Sequence, residues 1–448
     1  MQIALFSGEL SGDRIGGALA RELLAREPGL ELWGVGSKAM QDAGVELIAD
    51  SASWGAISIT EALPKVPRFL LKVAPLVRAT LRKRKPDLVV AIDFGAFNVR
   101  LARFCKSIDL KVCYYFPPGS WRRTGYATPE LAKTTDLILT PFKWSVDRYE
   151  QIGANVEWVG HPILENTSTK LSREEFIDNL GLNPNDPIIG LLPGSRSHEI
   201  QHLMPAMLDA AGLIAASEKR AQFVIGVAPG ISQDQMYKLL TGRQDLKDRL
   251  TEIWHDLSEK ADRSIISPLA RGADVLKART SPILVTDTGV LVPERKDPSQ
   301  QKSSATSLPA IVLARNMTHE VQAYSDLLLV CSGTATLEAA IFGTPMIILY
   351  RGSRIMAMEY KLRGLKRKIQ YIGLPNIMMD KKIVPELIQE EASPSAISEA
   401  SLRLMRDLEL RSQMRTDLFS VRDALGTSGA SGRAAEKILQ LLHTSKED

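Results

Sequence analysis

The chain has 448 residues, of which 44% are hydrophobic and 24% are charged, and this balance favours a globular protein of two or three domains over a disordered or fibrous chain. Its 56 basic and 52 acidic side chains leave a net charge of +4, which permits an acidic partner without requiring one. No apolar run approaches the roughly 18 to 20 residues that cross a bilayer, and the start of the chain lacks the pattern of a secretion signal. We therefore expect a cytoplasmic protein.

Residues 1–165 alternate strand-like and helix-like segments, and this βαβ series predicts a doubly wound parallel sheet. Helices are predicted at Ser11–Ala25, Phe97–Lys106 and Trp144–Gln151. The strands are mostly continuous apolar runs, as expected where both faces of a sheet are covered. They are predicted at Gln2–Phe6, Leu30–Val35, Leu88–Ile92, Leu110–Tyr115, Leu137–Leu139 and Val156–Val159.

A second series of the same kind predicts a second Rossmann-like domain over residues 166–352. Helix Ser197–Ala216 carries a one-sided apolar stripe, which predicts a core-facing helix. Residues 228–308 have a loop-like composition and are interpreted as an insertion, and residues 353–448 predict a helical tail. The strands are predicted at Pro187–Leu192, Gln222–Ile225, Ile283–Thr286, Ala310–Leu313, Leu327–Val330 and Pro345–Leu349.

The first candidate site is the loop SGELSGD, which follows the first strand and opens a helix. A Gly/Ser loop in this position lets a ligand approach backbone N–H groups at the helix N-terminus, with Glu9 and Ser11 beside it. The loop is not G-x-G-x-x-G and lacks the lysine of a Walker A loop, which disfavours dinucleotide or ATP binding. The alternative is an ordinary turn in which Asp13 caps the helix.

The second candidate is Asp93, which follows the buried strand of the run PDLVVAIDFGAFN. Ligands of open α/β sheets bind at the carboxyl ends of the strands, where a carboxylate could take a proton from a hydroxyl nucleophile. Glu9, after a neighbouring strand, could share or orient this site. Alternatively, Asp93 simply caps the following helix. Asn98, in the same run, is a further candidate for substrate binding.

Two loops of the second domain predict a site for a nucleotide sugar. Gly194 and Arg196 of LLPGSR lie between a strand and a helix, where an arginine can grip phosphate. The loop CSGTATLE is similar, and Glu338, one turn into its helix, suits sugar hydroxyls rather than phosphate. Its candidate residues are Ser332, Gly333, Thr334 and Glu338. Together with the acidic strand ends of the first domain, these loops predict a cleft between twin domains.

Basic residues alternate with large apolar ones in two segments, residues 65–85 and 351–368. Segments of this kind can lie on an anionic membrane surface. The alternative is a pair of buried helices with solvated basic faces. Nucleic acid is the less favoured partner, because no recognised binding module accompanies the segments. Metal binding is also not predicted: the three cysteines show no Cys-x-x-Cys spacing, and His198 and His202, the only two histidines four residues apart, are interpreted as part of a solvated helix face.

The ordered motifs resemble those of the lipid-A-disaccharide synthase family, glycosyltransferases of two Rossmann-like domains (GT-B type). The resemblance covers nearly the whole chain, through SGELSGD, GVGSKAM, PDLVVAIDFGAFN, VGHPI, LLPGSRSHEI, CSGTATLEAAIFGTPMIILYR and GLPNIMMDKKIVPELIQ. It implies transfer of diacylglucosamine from UDP to diacylglucosamine 1-phosphate, without a cofactor or metal. It also implies a peripheral location at the inner face of the cytoplasmic membrane, and a C-terminal region that crosses back onto the first domain and could be exchanged in a homodimer.

Carried over residue by residue, the resemblance makes Asp93 the base and Glu9 the acidic residue of the first loop. It places Arg196 at the UDP phosphates and Glu338 at the ribose, and it includes Asn376 among the substrate-binding positions. The chain departs from the family pattern at Gly95 and Ala96 and over residues 116–123, where the acceptor should bind. Two alternatives use the same architecture: an enzyme similar to UDP-N-acetylglucosamine 2-epimerase, and a paralogue that binds UDP-sugar or lipid without this activity.

Overall fold

The computed structural model describes residues 1–51, 73–121, 129–228, 231, 285–286, 289–290, 311–352 and 370–444. The chain divides into two compact units, Met1–Asn166 with Asp423–Asp448 (unit 1) and Thr167–Arg422 (unit 2). Most of the insertion predicted at 228–308 lies outside the described residues, as do positions 65–72 and 122–123 and nearly all of the basic segment 351–368.

Unit 1 contains a sheet of seven strands in the order β3-β2-β1-β4-β5-β6-β7, and every neighbouring pair is parallel. Its central strands β1, β4 and β5 are almost completely buried, because helices cover both faces of the sheet. The strands are β1 Gln2–Ser7, β2 Glu31–Gly36, β3 Glu46–Asp50, β4 Leu88–Ile92, β5 Val112–Tyr115, β6 Leu137–Thr140 and β7 Val156–Trp158.

Eight helices of unit 1 are described, and the last of them comes from the far end of the chain. Helix α15 (Ala430–His443) packs on α1 (Leu10–Arg26), and Ala434, Ala435 and Ile438 join the core cluster that contains Leu5 and Leu19. These helices are α1 Leu10–Arg26, α2 Lys38–Asp42, α3 Ala74–Arg84, α4 Gly95–Lys106, α5 Pro129–Thr134, α6 Val146–Glu150, α7 Ile163–Asn166 and α15 Ala430–His443.

Unit 2 contains a parallel sheet of six strands in the order β12-β9-β8-β13-β14-β15. Its strands are β8 Ile188–Leu192, β9 Gln222–Val227, β12 Ile311–Arg315, β13 Leu327–Cys331, β14 Met346–Tyr350 and β15 Glu386–Ile388. Its described helices are α8 Arg173–Leu180, α9 Ser197–Ser217, α10 Thr318–Tyr324, α11 Thr334–Phe342, α12 Leu374–Met379, α13 Pro394–Arg406 and α14 Leu408–Ala424, which runs two residues into unit 1.

The predicted α/β class, with two parallel sheets and a helical C-terminal region, is confirmed, and so is the core-facing stripe of α9. All seven apolar residues of that stripe are buried: Ile200, Leu203, Met204, Met207, Leu208, Ala211 and Ile214. Two strands of the large sheets were not predicted, β3 and β15. Both are edge strands with partly exposed side chains, so neither shows the continuous apolar run of a central strand.

The strand predicted at Ile283–Thr286 is wrong as a member of the second sheet. Val285–Thr286 (β10) pairs antiparallel with Gly289–Val290 (β11) in a separate two-stranded sheet. A short apolar run does not by itself distinguish a hairpin from a buried parallel strand.

Both large sheets place their topological switch point at corresponding strands. In unit 1 the strand order reverses between β1 and β4, and in unit 2 it reverses between β8 and β13. Ligands of doubly wound sheets bind outside the carboxyl ends of the strands at such a point. The loops that follow these four strands are therefore the expected positions of a ligand-binding site. They contain most of the site residues predicted from the sequence.

Candidate functional site

The loop after β1 places Glu9 at the N-terminus of α1. Glu9 is the extended residue that precedes the helix, and Ser11 is exposed in the first turn. The Ser7 hydroxyl donates a hydrogen bond to the Glu9 carbonyl over 3.2 Å and closes the turn. Gly8 is required at its position because a Cβ there would overlap the ring of Phe94, which follows the neighbouring strand β4. The two loops at the switch point of unit 1 are thus in direct contact.

The alternative interpretation of the first loop, in which Asp13 caps its own helix, is wrong. Its carboxylate is buried and accepts hydrogen bonds from the backbone N–H groups of Ser37 (2.6 Å), Ala39 (2.9 Å) and Met40 (3.2 Å) at the N-terminus of α2. A carboxylate is a favourable cap because it satisfies free N–H groups and meets the positive end of the helix dipole. The Asp13 carboxylate therefore joins the motif SGELSGD to the motif GVGSKAM.

Asp93 follows β4 in an unusual backbone conformation. Asp93 and Phe94 both have positive φ, 49° and 46°, which is uncommon for residues with side chains. The pKa of Asp93 is raised to about 6, chiefly by burial of the carboxyl group and also by the negative charge of Glu9, while a hydrogen bond from the Phe94 N–H opposes the rise. The structure thus brings Asp93 and Glu9 into electrostatic contact, and Asp93 has the basicity of a group that can accept a proton near neutral pH.

Asn98 and Tyr114 hold the turn that contains Asp93. The buried Asn98 amide donates to the carbonyl oxygens of Phe6 (3.2 Å), Ile92 (3.1 Å) and Asp93 (2.9 Å), which ties β1 to β4. The Tyr114 hydroxyl, from β5, donates to the same Asp93 carbonyl over 2.9 Å. Strained backbone persists only where its surroundings fix it, and these bonds supply that constraint.

In unit 2 the loop after β8 is organised by a buried glutamate that the sequence interpretation missed. Oε2 of Glu199 accepts from the backbone N–H groups of Ser195 (3.0 Å) and Arg196 (3.3 Å), and Oε1 pairs with the Arg196 guanidinium at 3.0 Å. Gly194 has φ 127°, and a Cβ there would meet Glu199 Oε2 at 2.5 Å. The Arg196 side chain remains 36% exposed, so its position is set by Glu199 while it stays accessible to a ligand.

The loop after β13 presents an open helix N-terminus. Gly333 precedes α11, its surroundings leave open space where a Cβ would stand, and both Gly333 and Thr334 are exposed. The Ser332 hydroxyl donates to the Ile372 carbonyl over 3.0 Å and anchors the loop. First-turn N–H groups have no acceptor within their own helix, so this end of α11 suits an anion such as phosphate.

Glu338 lies one turn into α11 and is held from α10. Its Oε2 accepts from Gln322 Nε2 over 3.1 Å, and its Oε1 lies 3.9 Å from His319 Nε2. The side chain is 15% exposed, so it can still accept hydrogen bonds from a ligand's hydroxyl groups.

Asn376, predicted to bind substrate, is fully buried and its amide is used within the protein. Its Nδ2 donates to the Val384 carbonyl (2.9 Å) and Glu386 Oε1 (2.7 Å), and its Oδ1 accepts from the backbone N–H groups of Ile383 (2.7 Å) and Val384 (2.9 Å). Asn376 therefore closes the turn between α12 and β15.

Tyr114, Glu199, His319 and Gln322 contribute to these loops without having been predicted from the sequence. Only Glu199 had a local signal, since a glutamate three residues after a helix N-cap is typical of a capping box. Among the residues that the structure describes, no group of three or more His, Cys, Asp or Glu side chains could hold a metal ion. No described helix is long and apolar enough to cross a membrane.

Comparison with known proteins agrees with this architecture. Over 98% of the chain, it superposes with a TM-score of 0.55 and 12% identity on all of the UDP-N-acetylglucosamine 2-epimerase of Neisseria meningitidis, solved bound to UDP-N-acetylglucosamine. The calicheamicin glycosyltransferase gives a TM-score of 0.52 at 13% identity, over 99% of this chain and 98% of that one. Twin switch-point sheets and these neighbours define a protein of the GT-B glycosyltransferase fold.

The sequence comparisons are more specific. The model of the lipid-A-disaccharide synthetase family matches residues 3–266 and 285–438. The lipid-A-disaccharide synthase of Prochlorococcus marinus is 32% identical over 452 residues (99% of this chain, 100% of the relative). That of Syntrophus aciditrophicus is 30% identical over 445 residues (99% and 98%). The chain belongs to the lipid-A-disaccharide synthase family, and it is an enzyme of the glycosyltransferase class.

Proposed function

We propose that this enzyme transfers 2,3-diacylglucosamine from UDP to 2,3-diacylglucosamine 1-phosphate, inverting the anomeric carbon and releasing UDP. Family membership supports the reaction class. The observation that carries the proposal is Asp93, a carboxylate at a switch point whose pKa of about 6 suits a base. The epimerase-like alternative rests on a likeness of fold alone, at 12% identity.

Unit 1 supplies the base. Ionised Asp93 accepts the proton of the acceptor's 6-hydroxyl as that oxygen attacks the anomeric carbon of the donor. The new C–O bond forms as the bond to the UDP oxygen breaks, so a single displacement inverts the carbon. Glu9 raises the proton affinity of Asp93 in this proposal, and Asn98 fixes the backbone that presents it.

Unit 2 holds the donor and stabilises the leaving group. Arg196 and the N–H groups around Gly333 and Thr334 meet the diphosphate, whose negative charge grows as the glycosidic bond breaks. Glu338 accepts hydrogen bonds from the ribose hydroxyls. Gly194 and Ser332 shape the two loops, while Ser11 of unit 1 is an exposed hydroxyl within reach of a ligand at the first loop.

Mass spectrometry of the products tests the proposal directly. With UDP-2,3-diacylglucosamine and the 1-phosphate acceptor, we expect a disaccharide 1-phosphate and UDP in equal amounts, and no turnover without the acceptor. UDP-N-acetylglucosamine alone should remain unchanged. Its conversion to an epimer or to free UDP would favour the epimerase-like reaction and refute the transfer.

We also propose that the basic segment around α3 contacts an anionic membrane surface. Helix α3 buries Ala74, Val77 and Leu81 and leaves Leu76 and Lys83 exposed, so a cationic face and an apolar side chain share one surface. Co-sedimentation with vesicles that contain anionic lipid should be strong at low salt and weaken as salt rises. The double variant Lys83→Glu/Leu76→Ser should bind more weakly, and binding equal to that of the wild type would contradict this role for α3.

A further inference from the structure

His319 is placed against Glu338 in a way that the proposed reaction does not yet use. It is the second residue of α10, and its ring lies between two oxygen atoms. Nδ1 is 3.0 Å from the carbonyl oxygen of Ser168, and Nε2 is 3.9 Å from Glu338 Oε1. The ring therefore links the segment that leads into α8 to the carboxylate assigned to the ribose.

These two contacts favour the imidazolium form of the ring. A carbonyl oxygen can only accept a hydrogen bond, so Nδ1 must carry a proton toward Ser168. In the neutral ring, Nε2 would then turn a lone pair toward the carboxylate of Glu338, whereas the imidazolium carries a proton on both nitrogens. The pKa of His319 is accordingly raised above its usual value, chiefly by Glu338, with burial opposing the shift and Ser168 and Glu320 adding to it.

The carboxylate of Glu338 is held on both oxygens from the same helix. Gln322, three residues after His319 on α10, donates to Oε2 over 3.1 Å. Gln322 is itself fully buried, and its backbone carbonyl accepts from the Thr344 hydroxyl over 2.6 Å. Residues three apart lie on one face of a helix, so α10 presents a neutral donor to one oxygen and a titratable ring to the other.

Glu338 is the main carboxylate beside His319, and the other groups that face the ring have weaker effects or no charge. Glu320, on its own helix, is buried and accepts from the backbone N–H groups of Lys170 (2.7 Å) and Leu171 (3.4 Å). Phe342, from α11, contributes an uncharged ring 6.2 Å away. Glu338 is therefore the carboxylate that protonation of His319 affects most.

We propose that His319 is a positioning residue that holds the Glu338 carboxylate for the donor ribose and makes nucleotide binding depend on its own protonation. The inference rests on the proposed role of Glu338 in holding the ribose. When His319 is protonated, its positive charge holds the Glu338 carboxylate in place. As pH rises through the His319 pKa, the imidazolium is lost, the Glu338 carboxylate loses the charged group beside Oε1, and UDP binds more weakly.

The experiment is a calorimetric titration with UDP from about pH 5.5 to about pH 8.5, a range that spans the titration of histidine. The proteins are the wild type, His319→Gln, Glu338→Gln and the double variant, with His443→Gln as a matched control. His443 also lies beside a carboxylate, 3.7 Å from Glu27, but in unit 1. Titration of UDP itself cancels in the ratio of two variants' dissociation constants at one pH.

At low pH we expect His319→Gln to weaken UDP binding about tenfold, the scale of one charge-assisted contact, and the ratio to the wild type to approach one at high pH. In the Glu338→Gln background the same change should have no effect. His443→Gln should bind like the wild type throughout. A second measurement follows the His319 ring by NMR, and its titration midpoint should fall in Glu338→Gln.

A ratio that does not vary with pH, an undiminished effect of His319→Gln in the Glu338→Gln background, or an unmoved midpoint would each overturn the inference. The proposed function would survive those results if Glu338→Gln and Arg196→Ala still weakened UDP binding. If neither of these substitutions weakened it, the proposed donor site would fail, and the inference with it.

Discussion

The two units share one topology and carry opposite chemistry at the same place in it. At the β1/β4 switch point of unit 1 stand two carboxylates, Glu9 and Asp93, and the charge of one raises the pKa of the other. At the β8/β13 switch point of unit 2 stand Arg196 and the open N-terminus of α11. The strand order thus places both groups of residues at a switch point, and the few residues after each strand decide whether that point carries carboxylates or an arginine beside a helix N-terminus.

The scaffolding of the two loops is nevertheless alike. In unit 1 the buried carboxylate of Asp13 accepts three backbone N–H groups, and in unit 2 the buried carboxylate of Glu199 accepts two N–H groups and the guanidinium of Arg196. Each unit therefore contains one acidic side chain that stabilises the fold close to the residues proposed to do chemistry. Substituting an acid that stabilises the fold should change the free energy of unfolding. Substituting a residue proposed to do chemistry should change turnover or UDP affinity.

The largest expected effect comes from Asp93→Asn. An amide cannot accept the acceptor's proton, so kcat should fall by roughly 10²- to 10⁴-fold, the usual contribution of a general base. Turnover of the acyl donor and acceptor measures it, with Asp42→Asn, a surface change in unit 1, as the control. Full turnover in a folded Asp93→Asn protein would remove Asp93 as the base.

The second-largest expected effect comes from Arg196→Ala, which tests the proposed anion site of unit 2. Loss of a charge-assisted grip on diphosphate should weaken UDP binding by about 10- to 100-fold, as measured by calorimetry. Arg415→Ala, an exposed arginine of α14 in the same unit, should leave the affinity unchanged. If both variants bound UDP like the wild type, the anion site of unit 2 would be misplaced.

The acidic limb of the pH profile should report unit 1. Because Asp93 must be ionised to act and its pKa is about 6, kcat/KM should fall about tenfold per pH unit below that value. The residual activity of Asp93→Asn should lack this acidic limb, since the titrating group has gone. A limb that persisted in the variant would assign it to another residue.

The smallest expected effects are on stability, and they should have opposite signs for two acids of unit 1. Asp13→Asn replaces an acceptor by an amide that cannot satisfy all three N–H groups, and we expect a loss of about 2–3 kcal/mol. Asp93→Asn should gain about 1–2 kcal/mol at neutral pH, because the raised pKa means that the folded state holds an unfavourable charge.

That gain should be full above about pH 6, decrease as pH falls, and vanish below the unfolded pKa of 3.8, where the carboxyl group is neutral in both the folded and unfolded states. Urea denaturation at about pH 7 and at about pH 3 measures the change in the free energy of unfolding for Asp13→Asn and for Asp93→Asn. Destabilisation by Asp93→Asn at neutral pH would show that Asp93 supports the fold as Asp13 does.

Sequence patterns predicted the central strands and the loops that follow them, because buried parallel strands are continuous apolar runs and small residues mark the turns after them. The edge strands β3 and β15 were not predicted, because their partly exposed side chains give a mixed pattern of polar and apolar residues. Asp93 and Arg196 were identifiable from their place after a strand. His319 and Tyr114 were not, because their partners, Glu338 and the Asp93 carbonyl, lie 19 and 21 positions away and meet them only through the fold.

The placement of α15 has a consequence for the order in which the protein can form during synthesis. The side chains of Ala434, Ala435 and Ile438 complete a core whose other members, such as Leu5 and Leu19, are made first. Domains usually fold in the order in which they leave the ribosome, N-terminal first. Here unit 1 must wait, with part of its apolar surface uncovered, until unit 2 has been synthesised, so a nascent chain that stalls before α15 should be a preferred client for chaperones.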